Sequence, residues 1–206
     1  MTAPNPPTSP VEILPLSAER LPDLASLFGQ GGDPKWCWCS WYRLRNVDFA
    51  SATAASNRRV LEDAVTATAQ DGRAPGLVAY VDGEAVGWVS LGPREDYDRL
   101  THSRVLGPID DKPVWSIVCF VVGRRHRGQG IATALLDAAV AYARDHGATL
   151  LEAYPVDAAG GRVPAATAFK GTLGMFERAG FTVVERRRAN ASSADRPIVR
   201  RRIRKR

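Results

Sequence analysis

Residues 114–132 read VWSIVCFVVGRRHRGQGIA, and this stretch decides the fold. Its first nine residues, 114–122, are almost continuously apolar, which is typical of a central strand that is covered on both faces. A helix is predicted from Gly128 to Gly147, because apolar residues recur at helical spacing from Ile131 onward. A buried strand therefore runs directly into a loop rich in glycine and arginine, and an amphipathic helix runs out of it.

The loop at 123–130 has the features of an anion-binding site. The first N–H groups of a helix have no acceptors within the helix, and the helix dipole places partial positive charge there. Gly128 and Gly130 let backbone amides approach phosphate oxygens without a Cβ in the way, and three arginines add full charge beside them. A plain strand-to-helix turn is the alternative, but such a turn has no use for clustered arginines.

Two common nucleotide loops do not fit this pattern. A Walker loop needs Gly-Lys-Ser/Thr, which Gly128-Gln129-Gly130-Ile131 lacks, and a dinucleotide loop needs a third glycine where Thr133 stands. The pattern Arg125-x-x-Gly128-x-Gly130-Ile131-Ala132 instead resembles the coenzyme A diphosphate loop of the GNAT N-acetyltransferase superfamily. The segment from Leu173 to Phe181 resembles that family's late helix, and the order of elements from Val11 to Arg201 matches as well.

The resemblance implies acetyl-CoA as co-substrate, without a metal. In that family the fourth and fifth strands splay apart, and the pantetheine arm inserts between them by main-chain hydrogen bonding. Here the site would lie between Val118–Val122 and Leu150–Tyr154. The residues implied in cofactor binding are Phe120, Val121, Val122, Arg125, Arg127, Gly128, Gln129, Gly130, Ile131, Ala132 and Phe176.

The remaining pattern predicts a mixed α/β fold. Asp82-Gly83 joins two strands as a hairpin, and Thr172 is placed to cap a short helix. We expect a GNAT-type mixed, mostly antiparallel sheet of six to seven strands, flanked by helices, with splayed central strands. The predicted elements are strands at 11–16, 77–81, 85–91, 114–122, 149–154, 181–185 and 197–201, helices at 17–28, 54–69, 128–147 and 172–180, and a polar loop at 92–112.

The catalytic groups are predicted from position. The family often protonates the departing thiolate from a tyrosine on the late helix, but Phe176 stands at that place, and Phe169 stands at the family's frequent asparagine. Tyr154 is the alternative proton donor. Glu152, on the strand that borders the predicted cleft, is the first candidate for the base that deprotonates the amine; the alternative for Glu152 is a solvent-facing strand residue. Weaker candidates for the base are Asp157 and Glu95.

An aromatic and cysteine-rich segment, residues 36–42, falls where this fold covers the acceptor. Its rings either stack on an acceptor or bury a helix face in the core. Three cysteines, Cys37, Cys39 and Cys119, form no disulfide framework, and they favour the reducing cytoplasm. No zinc-ligand spacing is present, so no metal site is expected.

The net charge of +6 is concentrated at residues 200–206, which contain six positive charges; without them 22 basic residues face 22 acidic ones. This charge distribution predicts a basic tail at 200–206. The four prolines of residues 1–10 predict a disordered lead-in, which leaves one domain at 11–199. The lead-in is not a signal or transit sequence, and no membrane span is expected. The tail is either a solvated end or a contact for nucleic acid or an acidic partner.

The sequence therefore predicts a cytoplasmic, acetyl-CoA-dependent N-acetyltransferase, a monomer or homodimer, acting on a small-molecule amine. The alternatives are a macromolecule-directed acetyltransferase, for protein, ribosome or RNA, and a non-catalytic acyl-CoA-binding protein.

Overall fold

The computed structural model describes residues 10–157, 168–190 and 192–204. The lead-in at 1–9 and residues 205–206 lie outside these ranges. The strands of the described chain join in one sheet, in the order β1-β2-β3-β4-β5-β7-β6. All neighbours pair antiparallel except β4 and β5, which are parallel. The strand bounds are β1 (Glu12–Pro15), β2 (Gly76–Val81), β3 (Glu84–Pro93), β4 (Trp115–Val122), β5 (Leu150–Ala153), β6 (Thr182–Arg187) and β7 (Arg196–Arg202). The mixed, mostly antiparallel sheet predicted from the sequence is confirmed.

Helices cover both faces of this sheet. On one face, an apolar cluster packs side chains of β2–β5 against Leu135, Ala139 and Phe176. On the other face, a second apolar cluster packs side chains of the sheet against Leu24 and Leu61. The helices are α1 (Leu21–Gly29), α2 (Pro34–Cys37), α3 (Asn46–Ala50), α4 (Ala54–Gln70), α5 (Asp98–His102), α6 (Ile131–Asp145) and α7 (Leu173–Arg178).

Helix α6 lies close against β3 because Gly87 leaves room for it. A Cβ at Gly87 would come within 2.7 Å of Ile131 Cγ2 and 3.0 Å of Leu135 Cδ1. The first two turns of α6 are thereby packed directly on the centre of the sheet. This contact fixes the start of α6, and with it the end of the preceding loop.

The central strands β4 and β5 form a fork. They pair only through Trp115↔Leu151, Ser116↔Glu152 and Ile117↔Ala153, and among the described residues the rest of β4 has no strand partner on that side. On the other side of β4, the register with β3 shifts at the same level, where the partner moves from Cys119 to Ile117 and leaves Val118 as an extra residue. A bulge bends its strand and increases the local twist, which accounts for the divergence at this point.

Two expectations from the sequence need correction. The segment at 92–112 is not only a polar loop: it carries a 3-10 turn at Arg94–Asp96 and α5, and Tyr97 and Leu100 are fully buried. The basic tail does not begin at residue 200, because β7 continues through Arg202 and pairs Arg200–Arg202 with β5. Arg200 and Arg201 are half-buried and Arg202 is exposed, so the first three arginines of the segment belong to the sheet.

Candidate active site

The open side of the fork is lined by the second half of β4. Phe120 is buried, whereas Val121 and Val122 are half-buried. Beyond Ile117 no described residue of β5 pairs with this edge, so its backbone groups face the gap between the strands. An edge of this kind can accept an extended chain by main-chain hydrogen bonding. The structure thus brings Phe120–Val122 to the place that the sequence indicated.

The loop that follows β4 ends at the N-terminus of α6. Gly128 and Gly130 have φ of +77° and +82°, and a Cβ at either position would meet no atom within 4 Å. The first backbone hydrogen bond of the helix runs from Ala134 N–H to Gly130 O. The amides of residues 131–133 precede that bond and therefore have no acceptor within the helix. The open space at Gly128 and Gly130 leaves room for an anion at this end of the helix.

The loop's polar side chains frame these amides. Arg125 and Arg127 are exposed, and no described carboxylate lies within ion-pair distance of either. Arg127 Nε donates to Val122 O at 3.2 Å, and Gln129 Nε2 donates to Arg125 O at 3.0 Å. These two bonds tie the loop to the end of β4 and hold its shape. The guanidinium of Arg125 remains available to a bound anion.

Phe176 is placed differently from the other residues of the predicted cofactor set. It is fully buried in α7, with ring centroids 6.1 Å from Phe120 and 5.1 Å from Phe181. Its ring therefore supports the β4 edge from within the core. A phenylalanine here has no proton to give.

Glu152 and Tyr154 belong to a buried network at the closed end of the fork. Glu152 is fully buried: its carboxylate accepts from Tyr154 OH at 2.6 Å and from Arg200 Nε at 2.7 Å, and it pairs with Arg94 Nη2 at 3.3 Å. Arg200 also holds Asp110 in a two-pronged pair at 2.8 and 3.0 Å. The alternative of a solvent-facing Glu152 is wrong. Removing one member of such a buried pair typically costs about 3–5 kcal/mol.

On the face of the sheet opposite α6, an aromatic cavity of about 520 Å³ opens beside β4. Its walls include the rings of residues 36–42 that were expected to cover the acceptor. The core interpretation describes Trp38, which is buried against Phe28 at 5.4 Å, whereas Trp36 and Trp41 line the cavity, where stacking on an acceptor stays a prediction. The side chains that line the cavity include Trp36, Trp41, Tyr42, Cys119, Phe169 and Lys170.

Tyr42 contributes a phenol to the wall of this cavity. Its ring is 1% exposed and stacks on Tyr154 with centroids 6.3 Å apart, but its hydroxyl has no hydrogen-bond partner among the described residues. Burial raises the pKa of Tyr42 well above its usual range, with Cys119 nearby adding to the effect. The phenol is therefore a protonated, unengaged donor next to β4.

The cysteines of the segment also meet β4. Cys39 Sγ and Cys119 Sγ lie 2.8 Å apart, both buried. Cys39 and its neighbour Trp38 have φ of +54° and +47°, a left-handed conformation that is strained for such residues. This turn ends α2 and brings the thiol of Cys39 and the ring of Tyr42 against the same strand.

A second pocket, the basic pocket, adjoins the aromatic cavity and shares Trp41 and Lys170 with it. It has a volume of about 520 Å³, and its basic lining residues are Arg45, Arg99, His102, Lys170 and Arg196. Arg99 and Lys170 are only 6% and 7% exposed. Burial lowers the pKa of Lys170 to about 8, with the charge of Arg196 adding to the effect.

Sequence patterns did not indicate Arg99, Lys170 or Arg196. Arg99 stands in the segment interpreted as a polar loop, where the apolar pair Tyr97 and Leu100 was the available signal for a packed helical turn. Lys170 and Arg196 carry no local signal, because only the folded chain brings them together. The remaining base candidates, Asp157 and Glu95, lie outside the lining of both cavities.

Within the described ranges, no group of three or more histidine, cysteine, aspartate or glutamate residues is arranged to hold a metal ion. In the same part of the chain, no helix combines the length and the apolar character needed to cross a membrane.

Comparisons with known proteins agree with this geometry. A model of the Acetyltransferase (GNAT) family matches residues 38–181. No curated protein matches the sequence significantly. Among solved structures, the chain is similar to an acetyltransferase of the GNAT family from Streptococcus pneumoniae, with 15% identity, coverage of 94% of this chain and 99% of that one, and a TM-score of 0.56. It is also similar to the PaiA N-acetyltransferase from Thermoplasma acidophilum in complex with coenzyme A, with 16% identity, coverage of 94% and 99%, and a TM-score of 0.54. A third similar structure is the NatC complex bound to Gag peptide and CoA, with 13% identity, coverage of 94% and 98%, and a TM-score of 0.53. At these identities the likeness concerns the fold.

Proposed function

Because the chain belongs to the GNAT acetyltransferase family, we propose that it transfers the acetyl group of acetyl-CoA to a primary amine of a small molecule. The observation that carries this proposal is the fork: the unpaired edge of β4 leads directly to the free amides at the start of α6. One extended molecule with a diphosphate at one end and a thioester at the other would satisfy both features. Acetyl-CoA has that form.

The cofactor would be held by the backbone and by the arginines of the loop. The diphosphate would bind to the amides at the start of α6, between residues 128 and 132, with Arg125 and Arg127 adding charge and Gln129 fixing the turn. The pantetheine arm would pair with Phe120–Val122, and Phe176 would keep Phe120 in place from behind. The thioester would then lie near Cys119, at the wall of the aromatic cavity.

The aromatic cavity supports a small acceptor. Its volume of about 520 Å³ falls within the usual range for small-molecule sites, about 300–1,000 Å³. The macromolecule-directed alternative rested on a basic tail, yet Arg200 is engaged with Glu152 and Asp110 inside the domain. A non-catalytic protein would not need an unengaged proton donor beside the thioester, which Tyr42 supplies.

The chemistry follows from these placements. The neutral amine attacks the thioester carbon, and the attacking nitrogen loses one proton, which restores the proton donor. The C–S bond breaks, and the thiolate leaves with the electron pair and takes up a proton from that donor. Tyr42 is placed to give that proton because it lines the cavity and stays protonated. Glu152 and Tyr154 act in this proposal as positioning residues, since their mutual bond and the arginine pairs occupy them.

The proposal is tested first on the cofactor. Gly130 and Gly147 stand at the two ends of α6 with φ of +82° and +83°, and a Cβ meets nothing within 4 Å at either site. Alanine should therefore cost each variant a similar backbone strain, about 1–2 kcal/mol of unfolding free energy. Only Gly130→Ala should weaken coenzyme A binding in calorimetry, about tenfold or more. Equal affinities in the two variants, or no heat with the parent protein, would refute the site.

The second test concerns turnover. Thiol release from acetyl-CoA should accelerate on addition of members of a panel of primary amines, and mass spectrometry should find the acetylated amine. Coenzyme A binding without any amine-dependent thiol release would favour a binding protein. Acetylation of peptides alone would favour a macromolecular acceptor.

A further inference from the structure

Arg99 is a buried cation without a counter-ion. It is 6% exposed, and no described carboxylate lies within ion-pair distance of it. Its Nε donates to Trp41 O, and its guanidinium lies 4.1 Å above the Trp41 ring, but Nη2 has no hydrogen-bond partner. The nearest acidic residue in sequence, Asp98, is engaged with His102 at the exposed rim. A buried donor of full charge is thus left unsatisfied.

Two further cations share this environment. Lys170 is 7% exposed, with Nζ 5.6 Å from the Trp41 ring centroid and 5.5 Å from that of Phe169, and Arg196 completes the wall. In the described chain neither forms an ion pair with a carboxylate. Residues 158–167, which the structure does not describe, contain no aspartate or glutamate. Arg45 is a fourth cation of the same lining, and none of the described residues that line the pocket is a carboxylate.

Burying like charges together is costly unless an anion joins them. A planar guanidinium with free N–H groups matches a carboxylate or phosphate oxygen pair, and an ammonium adds a point charge. We propose that the acceptor is a small amine carrying an oxyanion, a carboxylate or a phosphate, which binds in the basic pocket to Arg99, Lys170 and Arg196. This inference rests on the proposed acetyl transfer and names the class of its acceptor.

The two ends of such a molecule would bind in the two cavities. They share Trp41 and Lys170, so one ligand can extend from the aromatic cavity into the basic pocket. Its amine would lie beside Cys119 and Tyr42 at the β4 edge, and its oxyanion would lie beyond Trp41 at Arg99. The Trp41 ring, with Arg99 over one part of it, forms the wall between the two ends.

The experiment compares amines that differ only in the anion. With acetyl-CoA held at saturation, kcat/KM is measured for 4-aminobutyrate against butylamine, and for O-phosphoethanolamine against ethanolamine. The anionic member of at least one pair should be preferred about tenfold or more. The first pair reports a carboxylate site and the second a phosphate site. The preference should be abolished in the Arg99→Gln and Arg196→Ala variants. Arg104 is exposed and lies outside the pocket lining, so Arg104→Ala should leave the preference unchanged.

Anion binding can also be measured without turnover, as a shift in the melting temperature. With the loop saturated by coenzyme A, inorganic phosphate or glutarate should raise the melting temperature of the parent and Arg104→Ala proteins but not of Arg99→Gln. Equal kcat/KM within both pairs, no thermal shift with either anion, or a shift that survives Arg99→Gln would overturn the inference. Acidic peptides acetylated in preference to all small anionic amines would also overturn it. The acetyl transfer itself fails only if coenzyme A binding or amine-dependent thiol release is absent, so the two failures are distinct.

Discussion

Replacing Tyr42 with phenylalanine removes only the phenol hydroxyl, so its effects on kcat and on the free energy of unfolding can be compared. The buried hydroxyl has no hydrogen-bond partner in the described chain, and the Tyr42 side chain is part of the cavity wall to which Cys119 also belongs. If it protonates the departing thiolate, Tyr42→Phe should lower kcat by about 10²–10⁴, the usual contribution of a positioned proton donor. Because burial raises the pKa of Tyr42, this group should add no basic limb to the kcat–pH profile below its shifted pKa.

The stability of the same variant follows from the missing bond. A buried hydroxyl without a partner costs about 1–3 kcal/mol, so removing it should leave the free energy of unfolding unchanged or increase it by about 1 kcal/mol. Two other buried tyrosines serve as matched controls. Tyr97→Phe loses a 3.1 Å contact with Ser90, worth about 1 kcal/mol, and Tyr154→Phe loses a 2.6 Å bond to Glu152, worth about 1.5–3 kcal/mol.

Urea unfolding and steady-state kinetics on the three variants give the decisive comparison. We expect Tyr42→Phe to be the most stable and the slowest, Tyr97→Phe to keep its kcat, and Tyr154→Phe to lose the most stability. An unchanged kcat in Tyr42→Phe would refute the proton-donor role. A loss of stability equal to that of Tyr154→Phe would show that the Tyr42 hydroxyl is bonded after all. Loss of kcat in Tyr154→Phe alone would assign the proton to Tyr154.

Two more predictions concern acid and oxidation. The paired guanidinium of Arg200 lowers the pKa of Asp110, so Asp110 contributes stability that is present above its unfolded pKa of about 4 and is lost as pH falls toward its folded value. Asp110→Asn should therefore show a shallower loss of unfolding free energy below about pH 4 than the parent, and parallel curves would contradict this. Diamide should oxidise Cys39 and Cys119 to a disulfide, removing two hydrogens by mass, and should act faster as pH rises because burial raises the pKa of Cys39. Cys39→Ala should prevent the bond, and a disulfide through Cys37 instead would refute the pairing.

The loop and the helix start of the candidate cofactor site could be located from the sequence because their signals are local. A buried strand, two glycines at 128 and 130 and clustered arginines are adjacent in sequence, and the physics of a helix N-terminus applies wherever they occur. The fork between β4 and β5 required the family resemblance, since the bulge at Val118 leaves no mark in a run of apolar residues. The acceptor half could not be predicted, because Arg99 and Lys170 meet only through the fold.

The ion pairs of the arginines show where the excess positive charge lies in the folded protein. Counted along the chain, the excess belongs to residues 200–206. In the fold, Arg200 neutralises Glu152 and Asp110, and Arg201 donates to Ala179 O, so the first part of that segment serves the sheet. Cations elsewhere are then left without carboxylates, at the loop before α6 and around the basic pocket. Because an unpaired buried cation lowers stability, its presence is best explained by a ligand that pairs with it. Among the described residues, Arg99 and Lys170 are such buried cations at the end that an anionic acceptor would occupy, and the exposed Arg125 and Arg127 stand at the end that the diphosphate of acetyl-CoA would occupy.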